Sequence, residues 1–450
     1  MKETRKQTFF IETYGCQMNV ADSEVVVSVM QNAGFDTARS LERADIIFVN
    51  TCSIREKAEQ RVLGRLDVFR QIKKENPDLI IGVLGCMAER LKEKLLENDK
   101  LIDLVAGPDV YRDLPAMVRS AETGQKAINI LLSREETYAD ISPVRNHEDG
   151  ISAFVSIMRG CDNMCSYCIV PYVRGRERSR NPVTIMREIN ELVAGGFKEV
   201  TLIGQNVDSY KWQAEEVPFG FAELLKTTAV RFPELRIRFA TSHPKDITDE
   251  VLHVMATHEN ICKCIHLPVQ SGSNNILNRM KRGYTRGWFV ERIKAIRRIV
   301  PDCAITTDIM TGFSGESDDD HQDTLALMKR AEFDFAFMFK YSERPGTYAA
   351  CRLKDDVPEK VKSRRLAEII ELQGTISEKV KKHDINRIHR VLVEGPSKKS
   401  GDQLYGRNSQ NKVVVFPKES NKTGEYVDVY VTSCTQATLI GKAVERHKGY

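Results

Sequence analysis

The first 107 residues alternate short apolar runs with helical segments, and this pattern constrains the fold more than any other feature. Apolar runs start near residues 8, 45, 79 and 101, and amphipathic segments follow them. Such alternation is typical of a parallel sheet whose strands are connected by helices on its faces. The sequence therefore predicts a doubly wound α/β domain over residues 1–125.

A second series of apolar runs follows a polar segment at 126–148, which lacks sustained periodicity and is predicted to be a linker. Six βα units predict a (β/α)6 partial barrel over residues 149–382, ending in a charged amphipathic helix from about residue 357. Reactive groups of such a barrel sit at the carboxyl ends of its strands. The predicted strands cover residues 152–158, 199–204, 236–241, 263–269, 304–310 and 335–341.

Residues 383–450 contain short strand-like runs separated by glycine-rich turns, which predicts a small antiparallel barrel. The whole chain has a net charge of +4, yet residues 381–450 carry 13 Lys and Arg against 7 Asp and Glu, a net of +6. A local basic surface is the usual footprint of a phosphate backbone. We expect this module to bind RNA, with Lys398, Lys399, Arg407 and Lys412 reaching phosphates.

Composition excludes several classes of protein. With 41% hydrophobic and 29% charged residues the chain is globular, and no run approaches the ~18 apolar residues that cross a bilayer. The start lacks the apolar core of a signal peptide. We therefore expect a cytoplasmic protein without a membrane segment. Its odd number of cysteines, eleven, fits metal or redox chemistry better than a disulfide framework.

The densest cysteine motif is Cys161-x3-Cys165-x2-Cys168, directly after the first strand of the predicted barrel. Three thiolates on one loop can hold three irons of a cubane cluster, which normally needs four protein ligands. The missing ligand predicts an open iron. A zinc site or a chance cluster is the alternative, although zinc usually has paired CxxC motifs and four ligands.

A second group of cysteines is spread along the first domain. Cys16, Cys52 and Cys86 are 36 and 34 residues apart, and each directly follows an apolar strand. The carboxyl ends of parallel strands meet at one edge of a sheet, so this placement predicts a second three-cysteine cluster. Three isolated buried cysteines are the alternative reading.

Segments around both groups resemble the radical S-adenosylmethionine (SAM) methylthiotransferases along essentially the whole chain. Within that family, NTCSIREKA is similar to the branch that acts on tRNA, whereas the branch acting on ribosomal protein S12 has a different continuation after NTC. The segments are YGCQMN, NTCSIREKA, GCMAER, RGCDNMCSYCIVPYVRGRERSR, LIGQNVDSY, LPVQSGSNNILNRMKRGYTR and TDIMTGFSGE.

The resemblance implies methylthiolation of carbon 2 of N6-isopentenyladenosine at position 37 of tRNA, beside the anticodon. It implies two 4Fe–4S clusters, one on Cys161, Cys165 and Cys168 and one on the three spread cysteines, and two SAM molecules per turnover. One SAM would donate a methyl group to a sulfur on the second cluster, and the other would be cleaved to a radical at the first. A flavodoxin- or ferredoxin-type electron donor and a C-terminal TRAM domain that binds RNA are also implied.

Polar residues at strand ends and beside the cysteine loop are the expected contacts of SAM. Such contacts are weaker predictions than the cysteines, because strand-end hydrogen bonds are common. The expected residues are Tyr167, Gln205, Asn206, Ser242, Gln270 and Asp308.

Three further groups have both a functional and a structural reading. Arg174, Arg176, Arg178 and Arg180 would contact tRNA phosphates or form internal ion pairs. The glycines of TGFSGE (311–316) would let backbone approach a ligand. His243, His266 and the five remaining cysteines are expected to be structural.

Two rival functions remain open at this point. One is methylthiolation of ribosomal protein S12, and the other is a non-catalytic iron-sulfur regulator that binds RNA. Two three-cysteine sites, in place of one fully ligated cluster, favour an enzyme.

Overall fold

The structure is a computed structural model that describes residues 6–53, 56–92, 94–95, 101–145, 150–213, 218–398 and 400–445. Within these ranges no helix combines the length and the apolar character that crossing a membrane requires. The elements form three groups that follow one another along the chain.

The first group is a six-stranded parallel sheet in the order β2-β1-β3-β4-β5-β6. Alternate strand residues enter two separate cores: Phe48 packs with α1 and α4 residues on one face, and Val49 with α2 residues on the other. A sheet buried on both faces gives apolar runs, which is why its main strands were predictable. The elements are β1 Thr8–Tyr14, α1 Gln17–Asn32, β2 Asp36–Thr37, β3 Ile46–Thr51, α2 Glu56–Glu75, β4 Ile80–Gly85, α3 Cys86–Leu91, β5 Leu104–Ala106, α4 Leu114–Glu122 and β6 Ala127–Asn129.

The sequence did not predict the edge strands β2 and β6, because two or three residues are too few to give an apolar run. Strand β6 continues the sheet beyond residue 125 into the polar segment. Helix α2 begins at Glu56, and residues 54–55 before it lie outside the described residues.

The second group contains the six predicted parallel strands as two half-sheets, β7-β10-β13 and β14-β15-β16. A bridge between Ile237 and Ile261 joins the halves. Its elements are β7 Ser152–Ser156, β8 Met158–Arg159, α5 Val170–Arg174, β9 Arg178–Ser179, α6 Pro182–Ala194, β10 Glu199–Ile203, β11 Lys211–Trp212, β12 Phe219–Gly220, α7 Phe221–Arg231, β13 Arg236–Phe239, α8 Asp249–Thr257, β14 Cys264–His266, α9 Asn274–Arg279, α10 Arg286–Ile299, β15 Ala304–Thr311, α11 Asp318–Ala331, β16 Phe335–Lys340, α12 Tyr348–Arg352 and α13 Glu359–Lys382.

The third group is a closed five-stranded barrel in the order β17-β18-β19-β21-β20. The mixed α/β fold with a C-terminal β barrel is confirmed, but strand β18 was not predicted because its sequence, SGDQLYGR, is largely polar. The strands are β17 Ile388–Ser397, β18 Ser400–Arg407, β19 Val413–Pro417, β20 Tyr426–Cys434 and β21 Thr438–Ala443.

The prediction that Arg407 and Lys412 reach phosphates is wrong. Arg407 pairs with Glu199 at 3.0 Å, and Lys412 pairs with Asp334 and Asp384 at 3.1 and 2.8 Å. These ion pairs seat the turn between β18 and β19 against the amino ends of the partial-barrel strands. Lys398 is exposed, and Lys399 lies outside the described residues.

Candidate active site

The loop between β8 and α5 carries the three cysteines of the Cys161 motif. Gly160 starts this loop at φ 79°, and a Cβ there would lie 1.9 Å from the Arg176 carbonyl oxygen, so only glycine fits. The Cys168 backbone N–H donates to the Cys165 carbonyl at 3.0 Å, which makes a tight turn. The loop thus presents three thiols from one short segment.

These thiols lie close enough to influence one another. Burial raises the pKa of Cys161 to about 11 and, together with the neighbouring Cys165 sulfur, raises that of Cys168 to about 12. Because the thiolate is the form that binds metal, an iron cluster here must displace these protons.

Ser166 fastens the loop to the rest of the barrel. Its backbone N–H donates to the Met280 carbonyl at 3.0 Å, and its hydroxyl donates to the Arg279 carbonyl at 2.8 Å. Its own carbonyl accepts from Ala349 N–H at 2.7 Å. Two distant segments of the barrel domain therefore hold the cysteine loop in place.

Arg282 is a site residue that the sequence analysis missed, although it lies within the quoted segment LPVQSGSNNILNRMKRGYTR. Its buried guanidinium donates to Cys165 Sγ at 3.2 Å and to the Tyr167 hydroxyl at 3.3 Å. It also donates to the Pro268 carbonyl at 2.6 Å and the Tyr284 hydroxyl at 3.0 Å. Hydrogen bonds to a ligand sulfur are one way in which a protein sets a cluster's reduction potential.

Gln205, Asn206 and Ser242 follow the ends of the neighbouring strands β10 and β13. Asn206 Nδ2 donates to Asp246 at 2.8 Å. Its Oδ1 and the Oε1 of Gln205 are buried and find no donor among the described residues. Buried acceptors without partners are rare in proteins, so they indicate room for a ligand that brings hydrogen-bond donors.

Gln270 follows strand β14, and Asp308 lies inside β15, three residues before its end. The Gln270 backbone N–H donates to the Asp308 carbonyl at 2.9 Å, and the Ser242 N–H donates to the carbonyl of His266 at 3.3 Å. Gln270 has a φ of 74°, a conformation that costs a non-glycine residue on the order of 1–3 kcal/mol and clusters at functional sites. Of the predicted SAM-contacting residues, Gln205, Asn206, Ser242 and Gln270 thus follow strand ends, whereas Asp308 is within a strand and Tyr167 is on the cysteine loop.

His243 departs from the expectation of a fully hydrogen-bonded core histidine. Burial, helped by the charges of Arg282 and Lys245, lowers its pKa to about 2, so the imidazole is neutral. Its Nε2 is buried without a partner among the described side chains and backbone. His266 does fit the expectation, since its ring bonds Thr306 Oγ1 at 2.9 Å and pairs with Asp308 at 3.4 Å.

Cys16, Cys52 and Cys86 meet at the carboxyl edge of the first sheet, as their spacing predicted. A hydrogen bond with Cys52 and, despite burial, the positive charge of Arg174 lower the pKa of Cys16 to about 6. Burial raises the pKa of Cys86, which is close enough to Arg174 and Cys16 to be influenced by both. Cys16 also packs against a small cluster that contains Ile203 at the end of β10, so the second cysteine group lies beside the carboxyl end of the partial barrel.

Glycines beside two of these cysteines allow the close approach. Gly15 has a φ of 152°, and a Cβ there would lie 2.6 Å from the Cys52 Cβ. Gly85 has a φ of 85°, and its Cβ would lie 2.4 Å from Asn50 Oδ1. Any larger residue would push the strand ends apart, which explains the sequences TYGC and LGC.

The four alternate arginines behave differently from one another. Arg174, Arg178 and Arg180 are buried and form internal ion pairs with Asp22, Asp109 and Glu188. For these three the RNA-contact reading is therefore wrong. Only the side chain of Arg176 is largely exposed, and it pairs with Asp162 at 3.2 Å.

Other sequence signals proved structural. Gly312 and Gly315 of TGFSGE make room for the side chains of Lys362 and Arg279, so they do not provide an open cradle for a ligand. The remaining cysteines show no common site: Cys262 and Cys303 are buried, Cys264 and Cys434 are half-buried, and Cys351 is exposed.

Neither cysteine group has the geometry of a site for a single ion. Among the described residues, no set of three or more His, Cys, Asp and Glu side chains is arranged to hold one metal ion. In a cubane each cysteine binds a different iron, so its thiolates stand farther apart than the ligands of one ion. Three thiols, presented by segments in which glycine permits a close backbone approach, fit an iron-sulfur cluster.

Comparison with known proteins assigns the three groups of elements to three families. Residues 8–107 match the uncharacterized protein family UPF0004, residues 155–328 the radical SAM superfamily, and residues 384–444 the TRAM domain. A protein of Amoebophilus asiaticus called tRNA-2-methylthio-N(6)-dimethylallyladenosine synthase is 57% identical, over 98% of this chain and 94% of its own. The chain belongs to the family of these synthases. A synthase of the same name from Phocaeicola vulgatus is 55% identical, over 98% and 97% of the two chains.

Solved structures of radical SAM enzymes have a similar fold to this chain. The radical SAM methyltransferase TsrM from Kitasatospora setae superposes with a TM-score of 0.58 at 12% identity, covering 77% of this chain and 74% of that one. The cobalamin-dependent radical SAM enzyme OxsB gives a TM-score of 0.53 at 14% identity, over 95% and 65% of the chains. At such identities the likeness concerns the fold alone.

Proposed function

We propose that this chain is a radical SAM tRNA methylthiotransferase that converts N6-isopentenyladenosine beside the anticodon into its 2-methylthio derivative. The observation that carries the proposal is the pair of separate three-cysteine groups, one at the strand ends of the first sheet and one on the loop between β8 and α5. Family membership at more than 50% identity over nearly the full length supports the same activity. A TRAM domain and the tRNA in the relatives' names support tRNA as the substrate.

A 4Fe–4S cluster and SAM are the cofactors of the radical SAM superfamily, which residues 155–328 match. Cys161, Cys165 and Cys168 would hold that cluster, which supplies the electron that cleaves SAM. Cys16, Cys52 and Cys86 would hold a second 4Fe–4S cluster that carries the sulfur to be transferred. The close thiols, the glycine-relieved loops and one arginine bonded to each group support this assignment.

Strand-end residues would bind SAM beside the first cluster. The unpartnered acceptors of Gln205 and Asn206 suit the amine and hydroxyl donors of SAM. Ser242 follows the neighbouring strand β13, and Asp308 lies farther along, beside Gln270. Gln270 would present its backbone to SAM. Tyr167, whose hydroxyl accepts a hydrogen bond from Arg282, would border SAM on the side of the cysteine loop. These roles account for buried polar atoms that otherwise lack partners.

The remaining parts of the proposal concern stoichiometry, partners and organisation. Two SAM molecules per turnover would supply the methyl group and the radical, and a flavodoxin- or ferredoxin-type protein would deliver low-potential electrons. The target base would leave the anticodon-loop stack to reach the site. Boundaries near residues 148 and 382 would divide the chain into two catalytic domains and an RNA-binding domain, since β6 carries the first sheet past residue 125.

Anaerobic reconstitution followed by assay with an isopentenylated anticodon stem-loop tests the proposal. We expect 5′-deoxyadenosine and a methylthiolated loop, with no product on the unmodified loop. Methylthiolation of a ribosomal protein S12 peptide in place of the RNA would identify the protein-directed reaction. Binding of RNA without any SAM cleavage would identify a regulator.

A further inference from the structure

A network of buried ion pairs lies beside Cys86 of the second cysteine group. Arg159 donates to Asp22 at 2.7 Å and lies 3.4 Å from Asp109, while Arg178 donates to both oxygens of Asp109 at 2.9 Å. Arg174 donates to the other oxygen of Asp22 at 2.7 Å. All five side chains are at least nine-tenths buried.

The carboxylates of this network each face two guanidinium groups. Asp22 faces Arg159 and Arg174, and Asp109 faces Arg159 and Arg178. Burial opposes the ionisation of Asp22, yet Arg159 and Arg174 hold its pKa below the usual value. Asp22 therefore stays ionised and holds the Arg174 guanidinium in place.

Arg174 is the member of the network that reaches a cysteine. It is the last residue of α5, the short helix that begins two residues after Cys168. Its Nε donates to Cys86 Sγ at 3.2 Å. Val173 of the same helix and Ile169, the residue before the helix, pack with Cys86. The two cysteine groups are therefore joined by a single short helix.

One nitrogen of Arg174 remains unused. Its Nη1 is buried and has no acceptor among the described residues. A buried donor without a partner costs on the order of 1–3 kcal/mol. Arg282, the corresponding arginine at Cys165, has acceptors for all three of its nitrogens. A spare donor therefore distinguishes the arginine of the second group.

We propose that Arg174 is a positioning residue whose free Nη1 donates a hydrogen bond to a sulfur anion held beside Cys86. The ligand class is inorganic sulfide or hydrosulfide on the second cluster, so the proposal rests on the function proposed above. The guanidinium would orient this anion, compensate its charge and, by bonding cluster sulfur, raise the reduction potential.

The test isolates the second cluster in the full-length chain. Cys161, Cys165 and Cys168 are replaced by Ala to give a parent protein, into which Arg174→Gln is introduced. Sodium sulfide is titrated into each reconstituted protein, and binding is followed by electron paramagnetic resonance of the reduced cluster. We expect hydrosulfide to bind at least about tenfold more weakly to the variant, the loss of one charge-assisted hydrogen bond, and the potential to fall.

Arg178→Gln is the matched control, because Arg178 is buried in the same network and donates to Asp109 and to the Arg174 backbone carbonyl, but has no hydrogen bond to a cysteine among the described residues. It should leave hydrosulfide affinity within about twofold of the parent. Equal losses in both variants, or no loss in Arg174→Gln, would overturn the proposal.

A second variant covers the possibility that Arg174→Gln loses iron. Arg174→Lys keeps the charge but has one nitrogen in place of three, so we expect weaker hydrosulfide binding with iron retained. Hydrosulfide binding as tight as in the parent would overturn the proposal. A parent protein that holds no iron would overturn the second cluster itself and this inference with it. If the parent holds iron and the Arg174 variants bind hydrosulfide with unchanged affinity, only the role of Arg174 is overturned.

Discussion

At the scale of single residues, Glu89 illustrates how the cysteine-bearing strand ends bury charged groups. It lies in α3 three residues after Cys86 and is 3% exposed, and its Oε2 has no partner among the described residues. Burial raises its pKa to about 7, although Lys92 at 4.0 Å opposes this shift. Gly107 approaches so closely that a Cβ there would lie 2.5 Å from this oxygen.

We predict that Glu89→Gln stabilises the protein at pH 8 and not at pH 4. The folded pKa lies above the unfolded value, so the wild type is most stable below about pH 4.5 and loses stability as pH rises to about 7. The full shift corresponds to about 3 kcal/mol. Thermal unfolding of wild type and variant at both pH values measures the change in stability, with Glu291→Gln, at an exposed position, as the control. An equal change in stability at both pH values would contradict the prediction.

At the scale of elements, each cysteine group is supported by different parts of the fold. The Cys161 loop lies between β8 and α5 and forms backbone hydrogen bonds with Met280 and Ala349 of the barrel domain. The second group lies at the ends of β1, β3 and β4 in a separate sheet. The two groups should therefore lose their iron independently.

We predict that replacing Cys161, Cys165 and Cys168 by Ala leaves about four of about eight irons per chain, because the second cluster keeps its ligands. SAM cleavage should be abolished. Iron analysis and 5′-deoxyadenosine assay measure both effects, with Cys351→Ala as the control for an exposed cysteine outside the sites. Retention of all iron would show that this loop holds no cluster.

The complementary variant, with Cys16, Cys52 and Cys86 replaced by Ala, should still cleave SAM but form no methylthiolated RNA. Its first cluster is intact, whereas the site for the sulfur is lost. Product analysis by mass spectrometry after anaerobic turnover separates the two activities. Normal methylthiolation by this variant would exclude a role for the second group.

At the scale of the whole molecule, the C-terminal barrel is orientated by its ion pairs. The turn between β18 and β19 is fastened to the partial barrel, where Arg238 donates to the Asn408 carbonyl at 2.8 Å. Strand register places the β17–β18 turn and the β19–β20 loop at the opposite end. That end presents exposed Lys398, Lys418 and Lys422.

We predict that Lys398, Lys418 and Lys422 contact tRNA phosphates in place of Arg407 and Lys412. Replacing all three by Gln should reduce the salt dependence of tRNA binding by about 0.7–0.9 units per lost contact. Both clusters and SAM cleavage without tRNA should be unchanged, since the barrel holds neither group. Binding isotherms at several salt concentrations measure the salt dependence. Lys226→Gln, on the exposed surface of α7, is the control. An unchanged salt dependence in the triple variant would indicate that this end of the barrel is exposed to solvent and does not contact tRNA.

The sequence by itself determined the fold class, the succession of βα units along the chain and the position of both cysteine groups after strands, because these depend on local spacing. An apolar strand followed by a cysteine places a thiol at a sheet edge wherever the unit recurs. Only the tertiary structure decided which charges are buried. Arg174 pairs with Asp22 across 152 positions and Arg407 with Glu199 across 208. A guanidinium that suits a phosphate suits a carboxylate equally well, and no local pattern tells which of the two the fold brings near it.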